Sequence, residues 1–261
     1  MEHRELYKEP IDIENYMNNK RFLNTLNDWG AILTDTYEDS NVYEVKTSTN
    51  DKGQLIVPEY YYTKHPNEPY RSTFKIPEGV TEIGWGAFGR CNELYDIVIP
   101  ESVKKFSMFI FYKCENLKSI NLPNGLRRIN SNTFAQCKSL KTISFPESLI
   151  YIGKEAFREA GLEGLLEIPS SVRTIGSAAF KSNENITSLK LNTGLLNINK
   201  HAFSYCDNLS GEIHIPPTVT YIGPQAFATN KLITKIYVPK EQVENYHETW
   251  NARCYAEIIY Y

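Results

Sequence analysis

The sequence lacks most of the features that mark a chain for one particular partner or reaction. No run of five or more basic residues occurs, and the formal net charge is −3. A phosphate backbone attracts proteins through clustered Lys and Arg, so no nucleic-acid partner is expected. No apolar stretch approaches the ~18–20 residues that cross a hydrocarbon core, so no membrane span is expected. The opening Met1-Glu2-His3-Arg4-Glu5 has no apolar segment of the secretory type, so no signal peptide is visible. The motifs H-E-x-x-H, G-x-S-x-G, the P-loop and G-x-G-x-x-G are all missing. Histidine is scarce, and no two of His3, His65, His201, His214 and His247 stand at a metal or catalytic spacing. The expectation is a chain without catalytic residues, without a metal and without a cofactor. The rest is ordinary globular composition, 41% apolar and 23% charged, with an excess of Tyr at 18 residues.

What is present is a repeat. Phe occurs at 88, 111, 134, 157, 180, 203 and 227, a spacing of 23 five times and then 24. Pro77, Pro100, Pro123, Pro146, Pro169, Pro216 and Pro239 keep the same frame, and Asn192 stands where a further Pro falls due. Eight residues before each Phe lie Val80, Val103, Leu126, Leu149, Val172, Leu195 and Val219. Five before it lie Ile83, Phe106, Ile129, Ile152, Ile175, Ile198 and Ile222. Seven units of the form P-x-x-[VL]-x-x-I-[GN]-x-x-A-F-x-x-C-x-x-L-x-x-I-x-[IL] run from Pro77 to Val238.

Each unit reads as one coil. The closing L-x-x-I-x-[IL] alternates with period two: Ile120 and Leu122 face one way and Asn121 the other, as in a half-buried strand. Pro ends it, because Pro cannot donate to a ladder. Gly or Asn after the conserved-frame Ile suits a left-handed turn, and a short helical or 3₁₀ piece around Ala-Phe would return the chain. One coil cannot bury its own Val, Ile, Phe and Leu, whereas stacked coils share a continuous core. The fold expected is an α/β-type repeat solenoid with one parallel β-sheet and short helical, 3₁₀ or irregular return segments. Cys91, Cys114, Cys137 and Cys206 share the column three after the Phe, filled elsewhere by Ala160. They read as small buried apolar residues, with Cys254 outside the column. Unpaired thiols fit a reducing compartment.

At this column pattern the sequence resembles the BspA-like leucine-rich repeat family of bacteria, over residues 77–238. The resemblance implies a right-handed leucine-rich-repeat superhelix. It also implies a surface or secreted protein that binds host matrix proteins, other cells or other bacteria. The segment Val238-Pro239 with Val243, Tyr246 and Trp250 resembles the family's C-terminal cap.

Four segments are expected. Residues 1–53 read as an N-terminal extension or cap, with a helix over about 12–28 and strands around Ile32 and Val42-Tyr43-Glu44. Residues 54–76 read as a degenerate capping repeat, with Val57, Phe74 and Ile76 in core columns and His65 replacing Phe. Residues 77–238 are the seven repeats. Residues 239–261 are the C-terminal cap, with a short helix, a final strand at Ile258-Ile259-Tyr260, and Tyr246 and Trp250 as core plugs. Two irregularities are expected: at Ala160-Gly161-Leu162-Glu163, where Leu162 slides into the leucine slot, and at Ser210-Gly211, where one extra residue suits a bulge.

The outward strand positions carry the candidate site. One column runs Val98, Asn121, Ser144, Glu167, Lys190, His214 and Tyr237, and its neighbour Asp96, Ser119, Thr142, Leu165, Ser188, Glu212 and Lys235. The C-terminal half is charged and aromatic, so Glu167, Lys190, His214, Lys235 and Tyr237 are the expected partner contacts. The function expected is non-enzymatic: a monomer that binds a protein or peptide, including host or cell-surface partners, on its sheet face. Two alternatives remain: a glycan or cell-wall binder, which clustered exposed aromatics would favour, and an enzyme working through residues 1–53.

Overall fold

The computed structural model describes residues 32–37, 40–44, 47–57 and 71–261. Strands are numbered in chain order. β1 (Ile32–Tyr37) and β2 (Ser40–Glu44) pair antiparallel, and β2 then pairs parallel with β5 (Arg71–Lys75). From β5 onward the L-x-x-I-x-[IL] segments form one strand face: β7 (Leu94–Val98), β9 (Ser119–Ile120), β12 (Gly164–Ile168), β14 (Ile186–Leu191), β16 (Ser210–His214) and β18 (Leu232–Val238). β19 (Glu257–Tyr260) closes it, parallel to β18. The expected helix over about 12–28, and the position of His65, lie outside the described residues.

The return half of each coil adds a second parallel ladder to the one sheet expected. β4 (Leu55–Val57), β6 (Glu82–Ile83), β8 (Lys105–Phe106), β10 (Arg128–Ile129), β11 (Tyr151–Ile152), β13 (Thr174–Ile175), β15 (Asn197–Ile198) and β17 (Tyr221–Ile222) stack along the opposite side, with β3 (Ser48–Thr49) antiparallel to β4. These two-residue strands hold the column five before each Phe. The Ala-Phe segment takes the irregular form, a series of turns. Among the described residues the sole helical element is a 3₁₀ turn, Lys240–Asn245.

The core between the ladders is one cluster running from Phe74 to Trp250. Its spine is the Phe column. Successive rings from Phe88 to Phe227 lie parallel, with centroids from 5.1 Å apart (Phe134–Phe157) to 5.6 Å (Phe88–Phe111). An identical residue at an identical place in every coil stacks on its neighbours, which is why the 23-residue period is visible as Phe. At the C-terminus Tyr246 and Trp250 are buried edge to face, 5.8 Å apart, and the Tyr246 hydroxyl donates to the Val219 carbonyl at 3.1 Å. They cover the last coil as plugs.

One local expectation is corrected. The Gly-or-Asn column after the Ile is not left-handed; positive φ falls two residues before and two after each Phe, as at Glu155 and Glu159 around Phe157. Gly stands in that column because neighbouring backbones touch there. A Cβ on Gly176 would lie 2.5 Å from the Gly153 carbonyl carbon and 2.6 Å from the Lys154 nitrogen. Asn199, in the same column, offsets its crowding by donating to the Ile175 carbonyl at 2.8 Å.

Both irregularities fall where the sequence breaks frame. Leu162 is buried in the leucine slot while Glu163 is exposed and pairs with Lys141 at 3.3 Å. Gly211 has φ +79° and open space around it, beside a register shift between Gly211 and Glu212. The extra residue is thus a bulge in a conformation only Gly adopts without strain.

Candidate functional site

Strand alternation decides what faces outward. In β12, Leu166 and Ile168 enter the core, so Leu165 and Glu167 project to solvent. Parallel pairing then carries the outward positions from coil to coil, setting Glu167 opposite Lys190 and His214 opposite Tyr237. The five candidate residues fall into two clusters.

In the first, the Lys190 Nζ lies 2.7 Å from Glu167 Oε1, and the Asn192 amide donates to the same oxygen at 3.0 Å. The hydrogen bond from Lys190, then that from Asn192, holds the Glu167 carboxyl below its ordinary range. Both side chains are largely exposed, so the pair orders the surface more than it stabilises the fold. Replacing Lys190 by Gln is therefore expected to move the Glu167 titration upward, toward higher pH. An NMR pH titration of the Glu167 side-chain carboxyl reads it, and an unmoved midpoint refutes the assigned cause.

In the second cluster, the His214 and Tyr237 rings stack face to face, centroids 4.4 Å apart and planes 2° from parallel. Glu212 lies at the edge of this pair. It accepts from the Tyr237 hydroxyl at 3.4 Å and lies 3.8 Å from Lys235 Nζ and 3.9 Å from His214 Nε2. Sequence reasoning placed Glu212 on the outward face but not among the contacts. Its signal was position, two residues before His214 on the same side of one strand. The result is a stacked pair of rings on the outward face, His214 exposed and Tyr237 half-buried, with a carboxylate and an ammonium at its side.

Reactive chemistry is not assembled among the described residues. Two imidazole–hydroxyl pairs occur: His247 Nδ1 lies 3.0 Å from Thr249 Oγ1, two residues along the chain, and His201 Nδ1 lies 3.3 Å from Ser204 Oγ. Ser204 is fully buried, and its hydroxyl donates to the Gln225 carbonyl at 2.7 Å. A hydroxyl committed in this way, with no cleft before it, is a structural group rather than a nucleophile. No group of three His, Cys, Asp or Glu side chains that could hold a metal occurs among the described residues. No described helix is long and apolar enough to cross a membrane.

The cysteine column does more than fill space. Cys114, Cys137 and Cys206 donate their S–H to the Phe carbonyl of the preceding coil, Phe88, Phe111 and Phe180, at 3.0, 3.1 and 3.3 Å. Asn183 and Asn230, in the same column, donate to Phe157 and Phe203 at 2.7 and 2.8 Å. The column is therefore a ladder of small donors that tie each turn to the one before. Repeat spacing showed the column, but not the carbonyl it serves. Burial pushes these thiols upward, Cys206 to about 12. In native protein a thiol reagent is expected to modify Cys254 first, because it is only partly buried, and the four column thiols only as the solenoid opens. Five thiols reacting in one fast phase would contradict the buried ladder.

A stack of 23-residue coils with two parallel ladders around a continuous Phe-centred core defines a solenoid of the leucine-rich-repeat class. The profile of the BspA type leucine rich repeat region matches residues 66–187 and 164–257 in six copies. The chain belongs to this BspA-type leucine-rich repeat family. Its structure is similar to that of a leucine-rich repeat protein from T. pallidum, with 25% identity over 83% of this chain and 96% of that one, and a TM-score of 0.62. It is also similar to a leucine-rich repeat protein from Bacteroides ovatus, with 20% identity and a TM-score of 0.51. That match covers 88% of this chain and 66% of the Bacteroides ovatus chain, so this chain spans about two-thirds of that protein's length. No curated protein matches the chain.

Proposed function

We propose that this protein is a non-enzymatic binding module that recognises a protein or peptide partner on the C-terminal half of its strand face. The observation that carries this reading is the His214–Tyr237 stack, its rings parallel within 2°, His214 exposed and Tyr237 half-buried, beside Glu212 and Lys235. Its parts are fixed on adjacent paired strands before any partner arrives, so little side-chain freedom is lost on binding. Aromatic side chains with a polar edge are the residues that most often dominate contact energies. Glu167 and Lys190 extend the same face by one pair of coils.

The family supports a place at the cell surface or in the secreted fraction. Unpaired thiols fit a reducing compartment, but burial removes their conflict with an oxidising one. Four of the five are buried, so an oxidising medium does not reach them.

The test is recovery of a partner from candidate host or cell-surface proteins by the intact chain and by the Lys190→Ala/His214→Ala/Tyr237→Ala variant. All three residues are surface residues, so the variant is expected to fold with an unchanged melting temperature. Its partner affinity is expected to fall by about 100-fold, from the loss of one aromatic anchor and one charge. Equal recovery by both removes the strand-face assignment. The same stack also offers a face for a sugar ring, so saturable binding on a glycan array, lost in the same variant, would favour a glycan over a protein.

A further inference from the structure

Ladder pairing along the strand face lapses twice, between β9 and β12 and between β14 and β16; the first lapse, at the third coil, has no strand within it. Ladder pairing runs from β2 to β9 and resumes at β12, and between them Lys141–Pro146 forms no strand. The backbone N–H and C=O groups of residues 142–145 make no backbone hydrogen bond among the described residues. Ile143 and Phe145 are only partly buried, as are Leu189 and Leu191 beside the second lapse, whereas the equivalent Ile97, Ile99, Leu166 and Ile168 are buried.

Two sequence features cause the break. Phe145 stands where the other coils carry Ile99, Leu122, Ile168, Leu191 and Ile215. It packs edge to face on Phe157 at 5.8 Å, and the larger ring does not fit the slot that an aliphatic residue fills. On the other side, the Gly161-Leu162 irregularity shifts the approach to β12. The Phe spine holds the coils together at 5.1 Å between Phe134 and Phe157, so the gap opens only at the strand face.

The gap is a cleft of about 480 Å³, with Ile143, Phe145 and Leu165 as apolar walls and Glu147, Glu167 and Ser170 at its polar end. Its charged lining groups are both carboxylates, while the backbone of residues 142–145 offers N–H donors as well as C=O acceptors. Glu147 forms no ion pair among the described residues, and Glu167 has Oε1 engaged by Lys190 and Asn192 but carries no hydrogen bond on Oε2. The carbonyls of residues 142–145 add further acceptors. Of the nearby cations, Lys141 is paired with Glu163 and Lys190 with Glu167. That leaves one carboxylate in excess beside an apolar slot.

We infer that this cleft receives an arginine or lysine side chain projecting from a protein partner. Its aliphatic stem lies along Leu165, Ile143 and Phe145, and its cationic head faces the Glu147 carboxylate and the open carbonyls. A long side chain with an apolar stem and a charged donor head matches such a site, where an anion meets repulsion and a purely apolar group leaves the acceptors unserved. This inference rests on the reading that the strand face is the binding face, and it adds the chemistry of the partner residue.

The experiment uses the full chain and two small probes, N-acetyl-L-arginine amide and N-acetyl-L-citrulline amide, which share shape but not charge. Titration is followed by backbone amide shifts. Saturable shifts at Ser144, Phe145, Glu147 and Leu165 are expected with the arginine probe, and about tenfold weaker binding with the citrulline probe. Glu147→Gln is expected to weaken the arginine probe several-fold and leave the melting temperature unchanged, because its side chain is exposed. Equal affinity for the two probes, shifts confined to other regions, or no saturation with either overturns the inference. No partner protein enters this measurement. Its failure is therefore separate from that of the strand-face reading, which the Lys190/His214/Tyr237 variant tests alone.

Discussion

Replacing Phe157 by alanine is expected to cost about 3–5 kcal/mol of stability, the largest effect of any single truncation in this chain. The side chain is fully buried. It stacks on Phe134 at 5.1 Å and Phe180 at 5.2 Å and receives the edge of Phe145 at 5.8 Å. Removing it deletes contacts to three rings and leaves a cavity in the spine that the neighbouring coils, fixed by two ladders, cannot close. In a solenoid each coil touches only its neighbours, so the defect divides the stack at its middle. Urea unfolding should show a lowered midpoint and a broader, two-step transition in place of one. A loss below about 1 kcal/mol with a single sharp transition would mean that the Phe spine is not the element that couples the coils.

Gly176→Ala is expected to cost about 1–3 kcal/mol or more, for the opposite reason. The added methyl would lie 2.5 Å from the Gly153 carbonyl carbon and 2.7 Å from its oxygen. Both are backbone atoms that a side-chain rotation cannot clear, so the coils must separate. The neighbouring coil sharpens the prediction. Asn199 occupies this column and donates to the Ile175 carbonyl at 2.8 Å, so Gly176→Asn can reach the equivalent carbonyl of Ile152 and recover a hydrogen bond. The larger Asn should therefore be tolerated better than the smaller Ala. Thermal melts of the two variants decide it, and an Ala variant as stable as the parent would show that the coils are not in contact at this column.

Most of the fold was legible because the period is carried by residues that have to be identical. A Phe that stacks on a Phe, and a Pro that ends each strand, repeat in one dimension and need no knowledge of the third. The same logic gave Leu162 in the leucine slot and the bulge at Gly211, since a frame break in a stack has nowhere to go but a local bulge. The outward column was legible too, because strand alternation alone puts Glu167, Lys190, His214 and Tyr237 on one side. What those residues do to each other was not. The His214–Tyr237 stack, the engagement of Glu167 by both Lys190 and Asn192, and the place of Glu212 at the edge of the rings depend on parallel register, which a single strand's pattern does not contain.

The sequence by itself determined the coil, its period, its inward residues and the face each strand turns to solvent, because all of these are local or strictly repeated. The tertiary structure alone decided three things that arise between coils. The return segment forms a second ladder, since two-residue strands are too short to read from alternation. The Gly column exists for close approach and not for a left-handed turn, since only the neighbour's backbone reveals the crowding. The strand-face ladder lapses between β9 and β12 and between β14 and β16, since pairing depends on the neighbouring coil and not on one strand's residues. Coil-to-coil distance sets each of the three, and no single coil encodes it.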